Sequence, residues 1–351
     1  MNALAAITIG PSVRALPCDN HIVAIPGLWR QGLLASSAIL VDEDQLAEMK
    51  RAVAVLDDHL RRAAPTGVDP GILGFDFHPT ADGPRLIEVN TNPGGLLLVL
   101  AHQRACAGLW PHAPAQDMGP DQVEMAAAKA FAGSAAKVAI VDDDPADQFL
   151  YPEFLLYRRL FARLGLGGDV IDARHWHGGC DGVYNRLTDF DLSDPSHAAL
   201  AQDRASGQVT MIPDMSAHAA YADKRHLVTL SRQRACAAWV PPTRMGDEDW
   251  PSTWAERRHL FFKPVLGHGG KGGYRGDKIS RATWEGLDPA RMVVQELVPP
   301  PVVESGFKVD IRAYAVGGRV LAFGARLYRG QMTNFRSDGG GLASVFRPHA
   351  G

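Results

Sequence analysis

The sequence predicts an α/β protein of several domains, and three observations carry that prediction. Its 351 residues exceed what one core of ordinary size holds. Short apolar runs alternate with amphipathic helical periods, most clearly as strand, helix, strand between Lys137 and Arg186. Apolar residues make up 46% and charged residues 21%, a balance that supports true cores and excludes a disordered chain.

Along the chain, residues 22–25 and 38–41 read as short strands. A helix is expected over 43–62, because Leu46, Met49, Val53, Leu56 and Leu60 recur at three- and four-residue spacing with charges opposite. Pro65, Gly67 and Pro70 end it. Strands over 72–78 and 85–90 follow, joined by the turn Ala81-Asp82-Gly83-Pro84. A second unit opens near Lys137: a strand over 138–141, a helix over 149–164 stopped by Gly165, and strands over 169–172 and 181–186. That spacing implies a right-handed parallel unit, and ligands of open α/β sheets bind beyond the carboxyl ends of such strands. The third unit reads as a helix over 221–238 closed by Pro241-Pro242, a strand over 261–265, a glycine-rich run over 267–273 and a strand over 292–297. A hairpin of 309–316 and 319–327 across Gly317-Gly318 completes it.

A net charge of −3 gives no signal for nucleic acid or an anionic membrane. Basic residues gather in the last third, which suits a small anion. Cys18, Cys106, Cys180 and Cys236 form no C-x-x-C pair, and their spacing fits neither a zinc site nor a disulfide framework. A reduced, cytoplasmic setting is expected. The first residues lack the basic start and apolar stretch of a secretory signal, and no apolar run approaches the roughly 20 residues of a membrane span.

Four clusters carry chemistry. The glycines around Gly269, Gly270, Lys271 and Gly272 let backbone amides cradle phosphate oxygens, and Lys263 on the preceding strand adds a point charge. A flexible surface hairpin explains the same run, and no Walker loop is present. Asp76, Glu88, Asn90 and Asn92 offer oxygen ligands of the kind Mg²⁺ takes, with the last three on one strand face. A polar strand end with an Asx turn is the alternative. Gln295-Glu296-Leu297-Val298 can present backbone and carboxylate partners to an adenine edge, though solvated strand ends are common. Lys308, Asp310 and Arg312 alternate on one strand, and Arg326, Arg329, Asn334 and Arg336 follow. Arginine forks bind phosphate and carboxylate in bidentate fashion, which suggests a phosphoryl-stabilising wall, against a solvated basic strand. Asp142 to Asp144, Asn185 and Arg186 end strands of the middle unit and are substrate candidates. Capping at Asp144-Pro145 and a turn at Asn185 account for them equally well.

Together these stretches resemble the ATP-grasp superfamily, of the glutathione synthetase and D-alanine–D-alanine ligase type. The matching segments are Phe262-Lys263-Pro264 with its glycine loop, Gln295 to Val298, Asp310-Ile311-Arg312, Asn334 to Gly340, Gly74-Phe75-Asp76, Glu88 to Gly94 and the helix start Ala222-Asp223-Lys224. In the family the metal-binding Glu-x-Asn strand comes last; here it comes first. The resemblance therefore implies a circularly permuted ATP-grasp fold, with residues 40–100 packed against 308–346, plus a small Rossmann-like pre-grasp domain. The divisions expected are 1–110 (permuted part of the large lobe), 135–215 (pre-grasp), 219–290 (small lobe) and 291–351 (rest of the large lobe).

By the same resemblance Lys224 and Lys263 contact ATP phosphates, Glu296 and the backbone near Leu297 hold adenine, and Glu304 takes the ribose hydroxyls. Asp76, Glu88 and Asn90 hold one or two Mg²⁺. Arg312 and Arg326 neutralise the transferring phosphoryl group, while Asn334 and Arg336 position the acceptor. The implied reaction activates a carboxylate as an acyl phosphate, from which an amine, or in second place a thiol, displaces phosphate. The substrates expected are small molecules such as an amino acid or short peptide, and a homodimer is a family-level expectation. A small-molecule kinase and a non-catalytic nucleotide-binding scaffold are the rival readings.

Overall fold

A computed structural model describes residues 12–18, 30–265, 272–334 and 337–348. The chain opens with strands β1 (Val13–Pro17) and β2 (Ser37–Val41), helix α1 (Glu43–Ala63), strands β3 (Leu73–Thr80) and β4 (Gly83–Asn90), helix α2 (Leu96–Cys106), strand β5 (His112–Pro114) and helix α3 (Pro120–Ala132). A parallel unit follows: β6 (Val138–Asp142), α4 (Tyr151–Arg163), β7 (Gly167–Asp172), β8 (Gly182–Asn185), α5 (Ala198–Ala205) and β9 (Thr210–Ile212). Next come α6 (Arg225–Arg232), β10 (Thr243–Met245), α7 (Trp250–Glu256), β11 (Leu260–Pro264), β12 (Tyr274–Arg275), α8 (Arg281–Glu285) and β13 (Met292–Glu296). The chain then returns through β14 (Lys308–Val316), β15 (Arg319–Tyr328) and β16 (Gly341–Pro348).

The return completes a sheet begun by the first strands of the chain. Its strand order is β1-β2-β16-β15-β14-β3-β4, with β5 on β16. Residues Leu73 to Phe77 of β3 pair antiparallel with Ile311 to Ala315 of β14, so the early strands do lie beside the late ones. Helix α1 seals one face: Leu46, Met49, Val53, Leu56 and Leu60 pack into one core with Phe75, Ile311, Ala313 and Phe323. Each such leucine removed from water contributes about 1.5–3 kcal/mol. Gly317 and Gly318 both hold positive φ, 56° and 74°, as the two-residue turn between β14 and β15 requires.

The middle unit is a parallel sheet in the order β7-β6-β8-β9, and the third is β10-β13-β11-β12. Strand β13 therefore joins β11 in the smaller sheet rather than the strands that follow it. The helix expected over 221–238 is shorter. Asp223 is extended and accepts the Arg225 N–H, and Gln233 is extended at the other end, which leaves only α6. Leu227, Leu230, Cys236 and Val240 nevertheless share one core, so the apolar period survives the break. Helices α2 and α3 carry no sequence expectation; Leu96 to Leu100 are all buried, and an all-round apolar run has no amphipathic period. The strand expected over 22–25 lies outside the described residues. Among the described residues no helix is long and apolar enough to cross a membrane.

Candidate functional site

Strand register assembles the site. Asp76 stands opposite Arg312 on β14 and opposite Glu88 on β4, while Asp310 stands opposite Arg326 on β15. Asp76 is fully buried, and its Oδ1 accepts from Arg312 Nε at 2.6 Å. Its Oδ2 accepts from Arg312 Nη2 at 2.7 Å, Arg326 Nη2 at 2.7 Å and Asn90 Nδ2 at 3.0 Å. Burial alone would raise the Asp76 carboxyl; the two guanidinium groups outweigh it and hold the group well below the usual carboxylate range. Asp310 in turn accepts from Arg326 Nε at 2.6 Å and Thr333 Oγ1 at 2.7 Å. The Tyr314 hydroxyl and Arg312 Nη1 both reach the Gly94 carbonyl, at 3.0 and 3.5 Å.

This network sorts the three expected metal ligands. Both oxygens of Asp76 are engaged, so Asp76 anchors the arginines. Asn90 gives its amide N–H to Asp76, which leaves its Oδ1 as an acceptor two residues along the strand from the Glu88 carboxylate. One carboxylate and one amide oxygen fit a Mg²⁺ that completes its shell with water and phosphate.

Lys263 lies across from this strand, 6% exposed. Its Nζ donates to Ile87 O and to Gln295 Oε1, both at 2.7 Å. Gln295 is itself buried and fixed by the Thr243 hydroxyl at 3.2 Å. Burial pushes the Lys263 ammonium down to about 8; Glu88 opposes this and Lys224 adds to it. Lys224 stands at the start of α6, and Gly272, at φ 74°, precedes β12. Gly269, Gly270, Lys271 and Arg336 lie outside the described residues.

Three expectations meet groups already in use. The Leu297 N–H donates to His259 O at 2.7 Å and is spent, and the Val298 carbonyl accepts from His78 Nδ1 at 2.7 Å, which leaves it one lone pair. Glu296 has an exposed side chain, but its N–H is bound to Pro242 O. Glu304 accepts from Ala15 N on β1 at 3.4 Å. Asn334 donates to Arg329 O and Met332 O at 2.5 and 3.1 Å, and thus shapes its own loop. His78 was not anticipated; burial brings it down to about 4, so it is neutral at pH 7.

Asn92, Asn185 and Arg186 do come together. The Arg186 guanidinium bonds the Asn92 side chain and lies over Phe154 and Tyr184, at 5.4 and 5.7 Å from the ring centroids. Asn92 Nδ2 donates to Asn185 O at 3.2 Å, whereas the Asn185 side chain is held locally by Leu187 N and Pro213 O. Buried Arg186 Nε has no partner. Glu153, also unanticipated, accepts from Gly95 N at 2.6 Å and Leu97 N at 3.1 Å in the first turn of α2, where the helix dipole favours an anion. Asp142, at the end of β6, is pushed up to about 7 by burial, with Arg186 opposing. The loop 92–95 is thus held between the parallel unit and the large sheet.

No known family profile and no curated protein matches the sequence. By structure the chain is similar to a glutathione synthetase-like effector from Globodera pallida in its apo form, with a TM-score of 0.53, 10% identity and 90% of each chain covered. It is also similar to a putative γ-glutamylcysteine synthetase from Methylobacillus flagellatus, with a TM-score of 0.50, 12% identity, and 86% of this chain and 85% of that one covered. At such identity the likeness is one of fold: a mixed α/β fold related to that of glutathione synthetase-like proteins.

Proposed function

We propose that the protein is an ATP-dependent ligase built on a circularly permuted ATP-grasp fold. One observation carries the reading: the β3–β14 pairing sets Asp76 against Arg312, 236 residues away, and so gathers two arginines, Glu88 and Asn90 on one sheet facing Lys263. In this reading the polyphosphate of ATP lies between β11 and β4. Lys263 has three N–H donors, and the two bonds already made leave one for a phosphate oxygen. Arg326 commits Nε and one Nη to carboxylates and keeps Nη1 for the transferring phosphoryl group. Lys224 adds charge at the start of α6. Glu88 and Asn90 would hold Mg²⁺, which supplies charge neutralisation at the phosphates.

An acid bound beyond the γ-phosphate attacks it, giving an acyl phosphate and ADP; an amine then displaces phosphate. The protein contributes positioning and a preorganised positive wall, because Asp76 and Asp310 fix both guanidinium groups before substrate arrives. Arg186 with Asn92 stands where the acid or amine would be read. The kinase alternative stops after the first transfer. The scaffold alternative draws on the engaged Leu297 and Val298 groups, which narrow the adenine side. Incubation with Mg-ATP and paired panels of small acids and amines separates the three. Ligation gives phosphate release that requires both partners. Release of ADP with a phosphorylated acid alone supports the kinase, and binding without turnover supports the scaffold.

A further inference from the structure

Cys18, His102 and Cys106 are distant in sequence or one helical turn apart, yet their sulfur and ring nitrogen atoms lie within 4.8 Å of one another. Cys18 follows β1, and His102 and Cys106 sit on α2. Two thiols and an imidazole are a donor set that zinc accepts, but the hydrogen bonds argue otherwise. The Ser344 N–H donates to His102 Nδ1 at 3.2 Å, so Nδ1 carries no proton and Nε2 does. That Nε2–H points at Cys18 Sγ and Ala35 O, each 3.3 Å away. The nitrogen a metal would need is therefore a donor aimed at sulfur. Cys106 Sγ lies 3.8 and 4.0 Å from the two ring nitrogens, nearly equidistant and off either lone pair.

The same arrangement suits thiol oxidation. Contact between the sulfurs raises Cys18 and lowers Cys106, so the two thiols act on each other directly. Cys106 is buried and Cys18 is half-buried, which makes Cys18 the sulfur a small oxidant reaches. Leu16, Ala38, Leu40, Trp110 and Phe346 wall the cluster with apolar surface.

We propose that Cys18 and Cys106 are a peroxide-reactive thiol pair that closes to a disulfide. One sulfur of the pair attacks hydrogen peroxide as its thiolate, the O–O bond breaks, and a sulfenic acid and water result. The other sulfur then attacks the sulfenic sulfur, the S–O bond breaks, and the disulfide forms with release of a second water. Sulfur loses two electrons and peroxide gains them; a small thiol reverses the step. The bond would tie the end of β1 to the last residue of α2, whose first turn begins at the Gly95 loop.

The test treats the reduced full chain with stoichiometric hydrogen peroxide, blocks remaining thiols under denaturing conditions and maps the peptides by mass. The expected result is a Cys18–Cys106 linked peptide that dithiothreitol removes, with Cys180 and Cys236 blocked as free thiols. Cys106→Ser should stop at a dimedone-trapped sulfenic acid on Cys18. Absence of the link, or oxidation at Cys180 or Cys236 instead, overturns the proposal. Zinc retained at one ion per chain by the reduced protein and lost in Cys18→Ser overturns it too, in favour of a metal site.

Discussion

Lys263 combines deep burial with two fixed acceptors, and its charge is therefore conditional. The ammonium is brought down to about 8 from the ordinary 10.5, foremost by burial. The free protein thus loses this proton as pH rises through 8, while a bound polyphosphate restores it. Mg-ATP affinity should fall as pH rises through about 8, with proton uptake on binding. Lys263→Met should weaken binding at pH 7 at least about tenfold, the cost of one charge-assisted hydrogen bond, and flatten the profile between pH 7 and 9. Calorimetry in two buffers of different ionisation heat measures both; a wild-type profile that is already flat contradicts the assignment. At this scale the polar residues on alternate strand positions were legible: Asp76, Glu88, Asn90, Arg312, Arg326 and Lys263 all reach one place. Their partners were not. Asp76 reads as a metal ligand in sequence because nothing there reveals two guanidinium groups across the sheet. Glu153 and His78 read as ordinary members of a helix and a strand, and only burial singles them out.

Among elements, the loop between β4 and α2 ties the site to the fold. Gly95 holds φ 104°, and a Cβ there would lie 2.8 Å from Leu342 Cδ1 and 3.0 Å from the Tyr314 hydroxyl. Gly95→Ala should therefore cost about 1–3 kcal/mol from backbone strain, before any packing penalty. It should also disturb the Gly94 carbonyl that Tyr314 and Arg312 share. Urea denaturation checks this, and a variant as stable as wild type would show that the loop relaxes freely. Strands with clear alternation or turn chemistry, such as β3, β4, β14 and β15, were readable from sequence. Helix α2 was not, because its first residues, Leu96 to Leu100, are all buried and show no polar face, and α6 was overextended, because Asp223 and Gln233 break a helix whose apolar period continues past them.

For the whole molecule, the central feature is that early strands complete a late sheet. Val13 pairs with Val41 and Phe346 with Leu40, so the start of β1 and the end of β16 lie at the same end of the sheet, two strand spacings or about 10 Å apart. A short Gly/Ser linker spans that gap. A rearranged chain, with residues 133–348 first and 12–132 after the linker, should fold and bind Mg-ATP as the natural order does; Gly133 and Ser134, at the new break, are exposed. An insoluble or non-binding product would count against permutation. The pairing of residues 73–77 with 311–315 agrees with the expectation that early strands pack against late ones, whereas the membership of β13 in the smaller sheet depended on pairing partners that composition does not specify. The metal-assisted nucleotide site is tested by calorimetric titration of ATP into wild type and Glu88→Gln, each with Mg²⁺ and with EDTA. Tight binding is expected only for wild type with Mg²⁺, weakened at least about tenfold by EDTA or by Glu88→Gln, with unchanged circular dichroism. Equal affinity in all four titrations, or none in any, would contradict a metal-assisted nucleotide site on the β3–β14 sheet.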